Sequence, residues 1–212
     1  MSEQVKPYPF LTQAIRDDDP KQLHNLFMTY PDFRELIVPA FGTWAHYAAR
    51  VGAINVLEYL LSTGVDVNAK NREEVTALEQ AAAGNQLRAV QLLLGRGARI
   101  DVRNTVTNPL FGCIAGSATD GHPVHDSGNP PGDRLEIARL LLDAGLDPKV
   151  RYNSTRMESM DATAFAWMFG RRDIARLIAD RVGCGDARAI DNLLQEAAEV
   201  AELNTKPVSI RQ

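Results

Sequence analysis

Histidine and carboxylate residues crowd one short stretch of the chain, where Asp120, His122, His125 and Asp126 fall close together. Nitrogen and oxygen donors at that density are the types that hold zinc or another transition ion. The stretch around them, 116–132, is rich in glycine and proline and offers no regular element to fix donor geometry. A solvated recognition loop is therefore expected, with His122 and His125 among its contact residues, and a metal- or redox-linked accessory role is the alternative. Cys113 and Cys184 stand 71 residues apart without Cys-x-x-Cys spacing, which suggests neither a disulfide framework nor a zinc module. Cys113 lies in an apolar segment and should be buried, whereas Cys184, between Gly183 and Gly185, should be exposed and is the other redox candidate. His46 and His24 are the remaining candidate bases. No nucleophile, base and charge-stabilising group converge on a common pocket, so neither catalytic residues nor a cofactor is expected.

Composition narrows the partner. The 212 residues include 23 basic and 27 acidic side chains for a net charge of −4, the wrong sign for general nucleic-acid binding. Apolar runs reach only four to six residues, far short of the roughly 18 needed for a membrane span. An early acid and two prolines stand where a secretory leader would be basic and then apolar, so a cytoplasmic location is expected.

Any site must be positioned by a repeated element. Thr43-Trp44-Ala45-His46-Tyr47-Ala48-Ala49 recurs as Thr76-Ala77-Leu78-Glu79-Gln80-Ala81-Ala82, and Leu60-Leu61-Ser62-Thr63-Gly64 as Leu93-Leu94-Gly95-Arg96-Gly97, both at an offset of 33 residues. A third copy runs from Asn108-Pro109-Leu110 to Leu141-Leu142-Asp143-Ala144-Gly145, its closing glycine 48 residues after Gly97, which is a net insertion of 15. A fourth begins at Thr163-Ala164-Phe165, and residues 10–42 form a degenerate opening unit. Each copy reads as two short helices joined by a turn residue such as Gly52 or Asn85 and closed by a left-handed glycine. The predicted boundaries are 10–42, 43–75, 76–107, 108–162 and 163–183, followed by a helix over 186–203. Leu60, Leu61, Leu93, Leu94, Leu141 and Leu142 are the expected core.

These residues resemble the ankyrin repeat family. Thr43 to Ala49 approach its Thr-Pro-Leu-His-x-Ala-Ala signature, and Leu60 to Ala69 match Leu-Leu-x-x-Gly-Ala-Asp-Val-Asn-Ala. The resemblance covers about Phe10 to Arg181. It implies an all-α solenoid of helix-turn-helix units with short projecting turns, a structural role for His46, and a protein as the partner. The expected organisation is an N-terminal tail over 1–9, one repeat domain over 10–203 with its insertion, and a tail over 204–212. A stand-alone bacterial protein, monomeric, is the expected setting.

Aligned on their closing glycines, the repeats place Lys70, Arg103 and Arg151 six residues after Gly64, Gly97 and Gly145. Equivalent positions in stacked repeats lie about 10 Å apart, which predicts a cationic column, widened by Arg72, that meets an acidic surface. Tyr47, Arg50 and Trp167 on the concave helix face add the residue types enriched in binding hot spots. The function expected is to bind, and so inhibit or shield, another protein. A bacterial immunity protein neutralising a toxin or effector is the narrowest version.

Overall fold

The computed structural model describes residues 7–36, 42–100, 108–116, 132–154 and 157–205. They divide into two compact units, 1–99 and 100–212. The first unit contains α1 (Tyr8–Arg16), α2 (Pro20–Thr29), a 3-10 turn (Pro31–Phe33), α3 (Trp44–Val51), α4 (Ile54–Ser62), α5 (Ala77–Ala83) and α6 (Leu87–Gly95). The second contains α7 (Pro109–Ala115), α8 (Gly132–Asp143), the strands β1 (Arg151–Ser154) and β2 (Met157–Asp161), α9 (Ala162–Met168), α10 (Arg172–Val182) and α11 (Ala187–Thr205). In the first unit α1, α3 and α5 form one row of contacts and α2, α4 and α6 a second, so each repeat contributes one helix to each row. The all-α helix-pair architecture expected from the repeat is the one observed.

One backbone device ends eight of the described helices. A left-handed residue, followed by an amide that reaches back five residues, closes the first helix of a pair at Asp18 (φ 51°), Gly52 (75°), Asn85 (56°) and Gly170 (72°). The same device closes the second helix at Gly64 (94°), Gly97 (84°), Gly145 (98°) and Cys184 (51°). It satisfies carbonyls that the helix leaves without partners and turns the chain sharply enough to start the next element. Glycine adopts this conformation without strain, asparagine and aspartate tolerate it, and a cysteine pays for it.

Several starts are fixed by side chains. Asp19 Oδ1 accepts from the amides of Lys21 and Gln22, both at 3.0 Å, and Asn108 Oδ1 accepts from Leu110 N at 2.9 Å. Thr76 and Glu79 form a reciprocal capping box, the Thr76 amide donating to Glu79 Oε2 at 2.7 Å. Ala53 offers α4 no side-chain cap, and Asp18 supplies one from the preceding repeat: Oδ1 accepts from Val56 N at 2.9 Å and Oδ2 from Asn55 N at 3.2 Å. The turn residue of one repeat thus caps the second helix of the next.

Several boundaries move. Helix α1 begins at Tyr8 and α11 runs to Thr205, beyond the segment expected at each end. The fourth pair is capped by Asp161, whose Oδ1 accepts from Ala164 N at 2.8 Å, so Thr163 lies inside the helix and is buried. Leu60, Leu93, Leu141 and Leu142 are core, but Leu61 and Leu94 are only half-buried. The apolar stripe runs instead through Val56, Leu57 and Leu60 on α4 and Ala89, Val90 and Leu93 on α6, at three- and four-residue spacing.

Candidate interaction surface

The projecting turn of the first unit is built around Asn71. Its Oδ1 accepts from the amides of Glu73 and Val75, each at 2.9 Å, and its own amide donates to Val75 O at 2.9 Å. Lys70 bridges to Thr76 at the base of this turn, and its ammonium pairs with Glu74 Oε2 at 3.2 Å in the open. Arg72 is exposed at the tip. In the second unit the corresponding turn has grown into the β1–β2 hairpin, in which Arg151 faces Asp161, the cap of α9. Arg151 donates across the hairpin to Ser159, from Nε to Oγ at 2.9 Å and from an amino nitrogen to the carbonyl at 2.8 Å. Lys70 and Arg151 therefore occupy the same place in their own units, each opposite a helix cap. Arg103, the middle member of the expected column, lies outside the described residues, as do His122 and His125.

His46 is structural. The amide and hydroxyl of Thr43 stand 3.2 and 2.8 Å from Nδ1, which must accept, so Nε2 carries the proton and donates to Val75 O at 2.9 Å. The ring thereby ties the cap of α3 to the turn before α5. Burial holds its pKa below the ordinary value, against the opposing pull of the Val75 and Ala69 carbonyls. His24 pairs with Tyr59 through Nδ1 and the phenol oxygen at 3.0 Å. Cys113 is fully buried, its thiol donating to Arg134 O at 3.2 Å, and burial pushes its pKa up to about 12 despite nearby Arg134 and Arg171. A thiol held protonated in this way is a poor nucleophile. Cys184 is exposed.

The two aromatic candidates are differently placed. Tyr47 is only 5% exposed, and its hydroxyl accepts from Arg16 Nε at 2.8 Å. Its ring is buried with the rest of α3. Trp167 is half-buried with the Arg172 guanidinium 3.7 Å over its ring, while Arg172 also donates to the Trp167 carbonyl at 2.6 Å. One indole face is thus already covered. Arg50 reaches from α3 to Gln80 Oε1 on α5 at 3.4 Å.

Sequence reasoning did not single out Arg16. The signal was present: Asp18 and Gly52 are equivalent turn residues, and Arg16 and Arg50 stand two positions before them. Among the described residues no group of three or more His, Cys, Asp or Glu side chains is placed to hold a metal ion, and no helix is long and apolar enough to cross a membrane.

Residues 11–104 match the family of ankyrin repeats, in three copies. The chain is 31% identical over 104 residues to the ankyrin repeat and KH domain-containing protein mask-1 of Caenorhabditis elegans, covering 49% of this chain and 3% of that protein. It is 32% identical over 106 residues to the ankyrin repeat domain-containing protein SAT10 of Stachybotrys chartarum, covering 50% and 5%. A putative ankyrin repeat protein of Rickettsia felis is 29% identical over 111 residues, covering 52% and 46%. The chain thus spans less than half the length of each of these relatives, which come from eukaryotes and a bacterium alike. Ankyrin repeats generally serve as non-enzymatic interaction modules, and residues 11–104 of this chain are similar to them.

Proposed function

We propose that this chain is a non-enzymatic binding module whose output is occupancy of another protein. The observation that carries this reading is the ankyrin-repeat segment, residues 11–104, whose helix pairs and Asn71-centred turn offer side chains from separate elements to one partner. Stacked repeats of this kind favour an extended surface over a deep pocket, which suits a protein better than a small molecule. Lys70, Arg72, Arg103, Arg151 and Arg50 are the expected polar contacts, Trp167 the aromatic one, and His122 and His125 those of the insertion, whereas the burial of Tyr47 makes it a packing residue and not the anchor its type suggested. The narrower form of the proposal is inhibition or shielding, with a bacterial immunity protein that neutralises a toxin as its most specific version. A reducing cytoplasm suits its two free cysteines.

Affinity capture of the full chain from its source cells, followed by mass spectrometry, tests the module. A single stoichiometric protein partner is expected, and its release by Lys70→Glu with Arg72→Glu would tie it to the projecting turn. Recovery of the chain alone under low-salt conditions would argue against the reading. The immunity version predicts, in addition, that the partner expressed by itself arrests growth and that co-expression of this chain relieves the arrest.

A further inference from the structure

The last helices of the second unit leave an apolar groove between them. Trp167 and Met168 of α9, Arg172 of α10 and Ala198, Ala201 and Glu202 of α11 line a space of about 330 Å³. A cavity of about 150 Å³ holds benzene, so this one has room for a large apolar side chain. Among the described residues, the large apolar side chains exposed in this unit are Phe169 and Leu203, each next in sequence to a lining residue.

A change of residue type within the repeat accounts for the gap. Counted from the helix caps, Trp167 stands where α3 has Ala49 and α5 has Ala82, both fully buried. Alanine there lets α3 and α5 pack closely, and α11 is the main neighbour of α9 as α5 is of α3. An indole at that position is too large for the same approach, so the space between the end of α9 and the last turns of α11 stays open.

Arg172 supplies the polar wall. Its guanidinium lies 3.7 Å over the Trp167 ring and donates to the Trp167 carbonyl at 2.6 Å, so its plane is fixed. The other α10 arginines are paired within the chain, Arg176 with Asp180 and Asp191 and Arg181 with Asp143, whereas Arg172 makes no ion pair among the described residues. The charges around it balance: Arg171 and Asp173 flank it, and Glu202 on the α11 wall has its own interactions within the chain. No broad field therefore draws an anion, and recognition of charge here is a contact between the stacked guanidinium and one carboxylate.

We propose that this groove seats a large apolar side chain of the partner protein while Arg172 receives a carboxylate from the adjacent residue of the same segment. That carboxylate complements the one α10 arginine without an ion pair. Tryptophan and arginine are the types enriched where interfaces concentrate their energy, and a guanidinium already held in place loses little freedom on binding. This states what the partner presents and rests on the binding-module reading above.

The capped dipeptide N-acetyl-Leu-Glu-amide, titrated to about 10 mM into the full chain carrying fluorinated tryptophan and followed by fluorine NMR, tests the inference in a range that detects millimolar affinity. The chain has two tryptophans, Trp44 at 2% exposure and Trp167, and Trp167→Phe assigns their signals. The Trp167 signal is expected to move and that of Trp44 to stay. N-acetyl-Ala-Glu-amide should need about fivefold more for the same movement, and N-acetyl-Leu-Gln-amide about threefold more. Arg172→Gln, at an exposed position, should erase the preference for Glu over Gln. Ala198→Phe, which fills the groove from α11, should erase that for Leu over Ala, and melting is recorded for both variants. Arg88→Gln, exposed on α6 in the first unit, should change neither preference. A Trp167 signal unmoved at the highest concentration would overturn the proposal, as would equal responses to the three dipeptides. Movement of that signal on diluting the chain alone would also overturn it, by assigning the groove to a second copy of this chain. If the captured partner protein binds Arg172→Gln and Ala198→Phe as tightly as the parent, yet is released by Lys70→Glu with Arg72→Glu, the groove inference fails while the binding-module reading stands.

Discussion

His46 and Cys184 show how single residues carry the repeat's constraints. The imidazole is neutral because Nδ1 must accept from Thr43 and Nε2 donates to Val75. Its native pKa is lowered by burial while the unfolded chain keeps the ordinary value near 6.5. The unfolded state therefore binds more protons as pH falls through that value, so the stabilisation is complete above it and is lost towards the lowered native pKa. Urea midpoints should be level between pH 8 and 7 and fall between pH 6.5 and 5.5. His46→Gln retains one acceptor and one donor without the titration and should flatten that fall; an unchanged pH profile would place the sensitivity elsewhere. Cys184 has the helix-closing conformation that Gly64, Gly97 and Gly145 adopt. Relief of left-handed strain, about 1–2 kcal/mol, exceeds the added entropy of an unfolded glycine, about 0.5–1 kcal/mol. Cys184→Gly should accordingly raise stability by about 0.5–1 kcal/mol, and a lower melting temperature would show that the thiol makes a contact worth more than the strain.

At the level of elements, α4 and α6 are fixed by their buried stripes, and α4 also by a cap borrowed from the preceding repeat. Leu93 is fully buried whereas Leu94, beside it, is half-exposed, so Leu93→Ala should cost about 2–5 kcal/mol and Leu94→Ala clearly less. Equal losses in denaturant titrations would mean that the buried stripe is wrongly placed. Asp18→Ala removes both carboxylate contacts at the start of α4 and should cost about 1–2 kcal/mol, with Asp18→Asn retaining part of the difference. The paired helices were legible from the 33-residue offset, and so was the tie from His46 to the next turn. The exact buried stripe was not, because both leucines of each Leu-Leu pair precede the closing glycine and only helix phase separates them. The reach of Asp18 into the next repeat was not legible, because it depends on the left-handed backbone that aims it there. The cationic column was legible as a spacing, but the pairing of Lys70 with Glu74 follows from how the turn folds around Asn71. Arg16 escaped notice because the opening repeat departs from the signature everywhere except in the position of its turn residue.

Over the whole molecule, the family match stops at residue 104 while the repeat's physical devices continue. In the second unit Gly145, Gly170 and Cys184 end their helices as Gly64 and Gly52 do, and Asp161 caps α9 where a threonine caps α3. What changes is spacing. The third copy carries 15 extra residues between its helices, and from Arg151 to the cap at Asp161 the turn is four residues longer than from Lys70 to Thr76. Both additions fall between helices, at positions where the packed faces of a helix pair do not depend on chain length. Closing a loop costs more as it lengthens, but only by about 0.6 kcal/mol per doubling, so shortening a 15-residue segment to four should stabilise the fold by roughly 1 kcal/mol. Replacing residues 117–131 by a four-residue turn should thus preserve the helical circular dichroism and leave melting equal or slightly higher. Loss of cooperative unfolding in that variant would show that the segment completes the buried surroundings of Cys113 and Arg134. If the fold survives, the same variant decides what the segment is for: weaker capture of the partner protein would make it part of the recognition surface, and equal capture would make it a spacer, with binding left to the helix rows and turns.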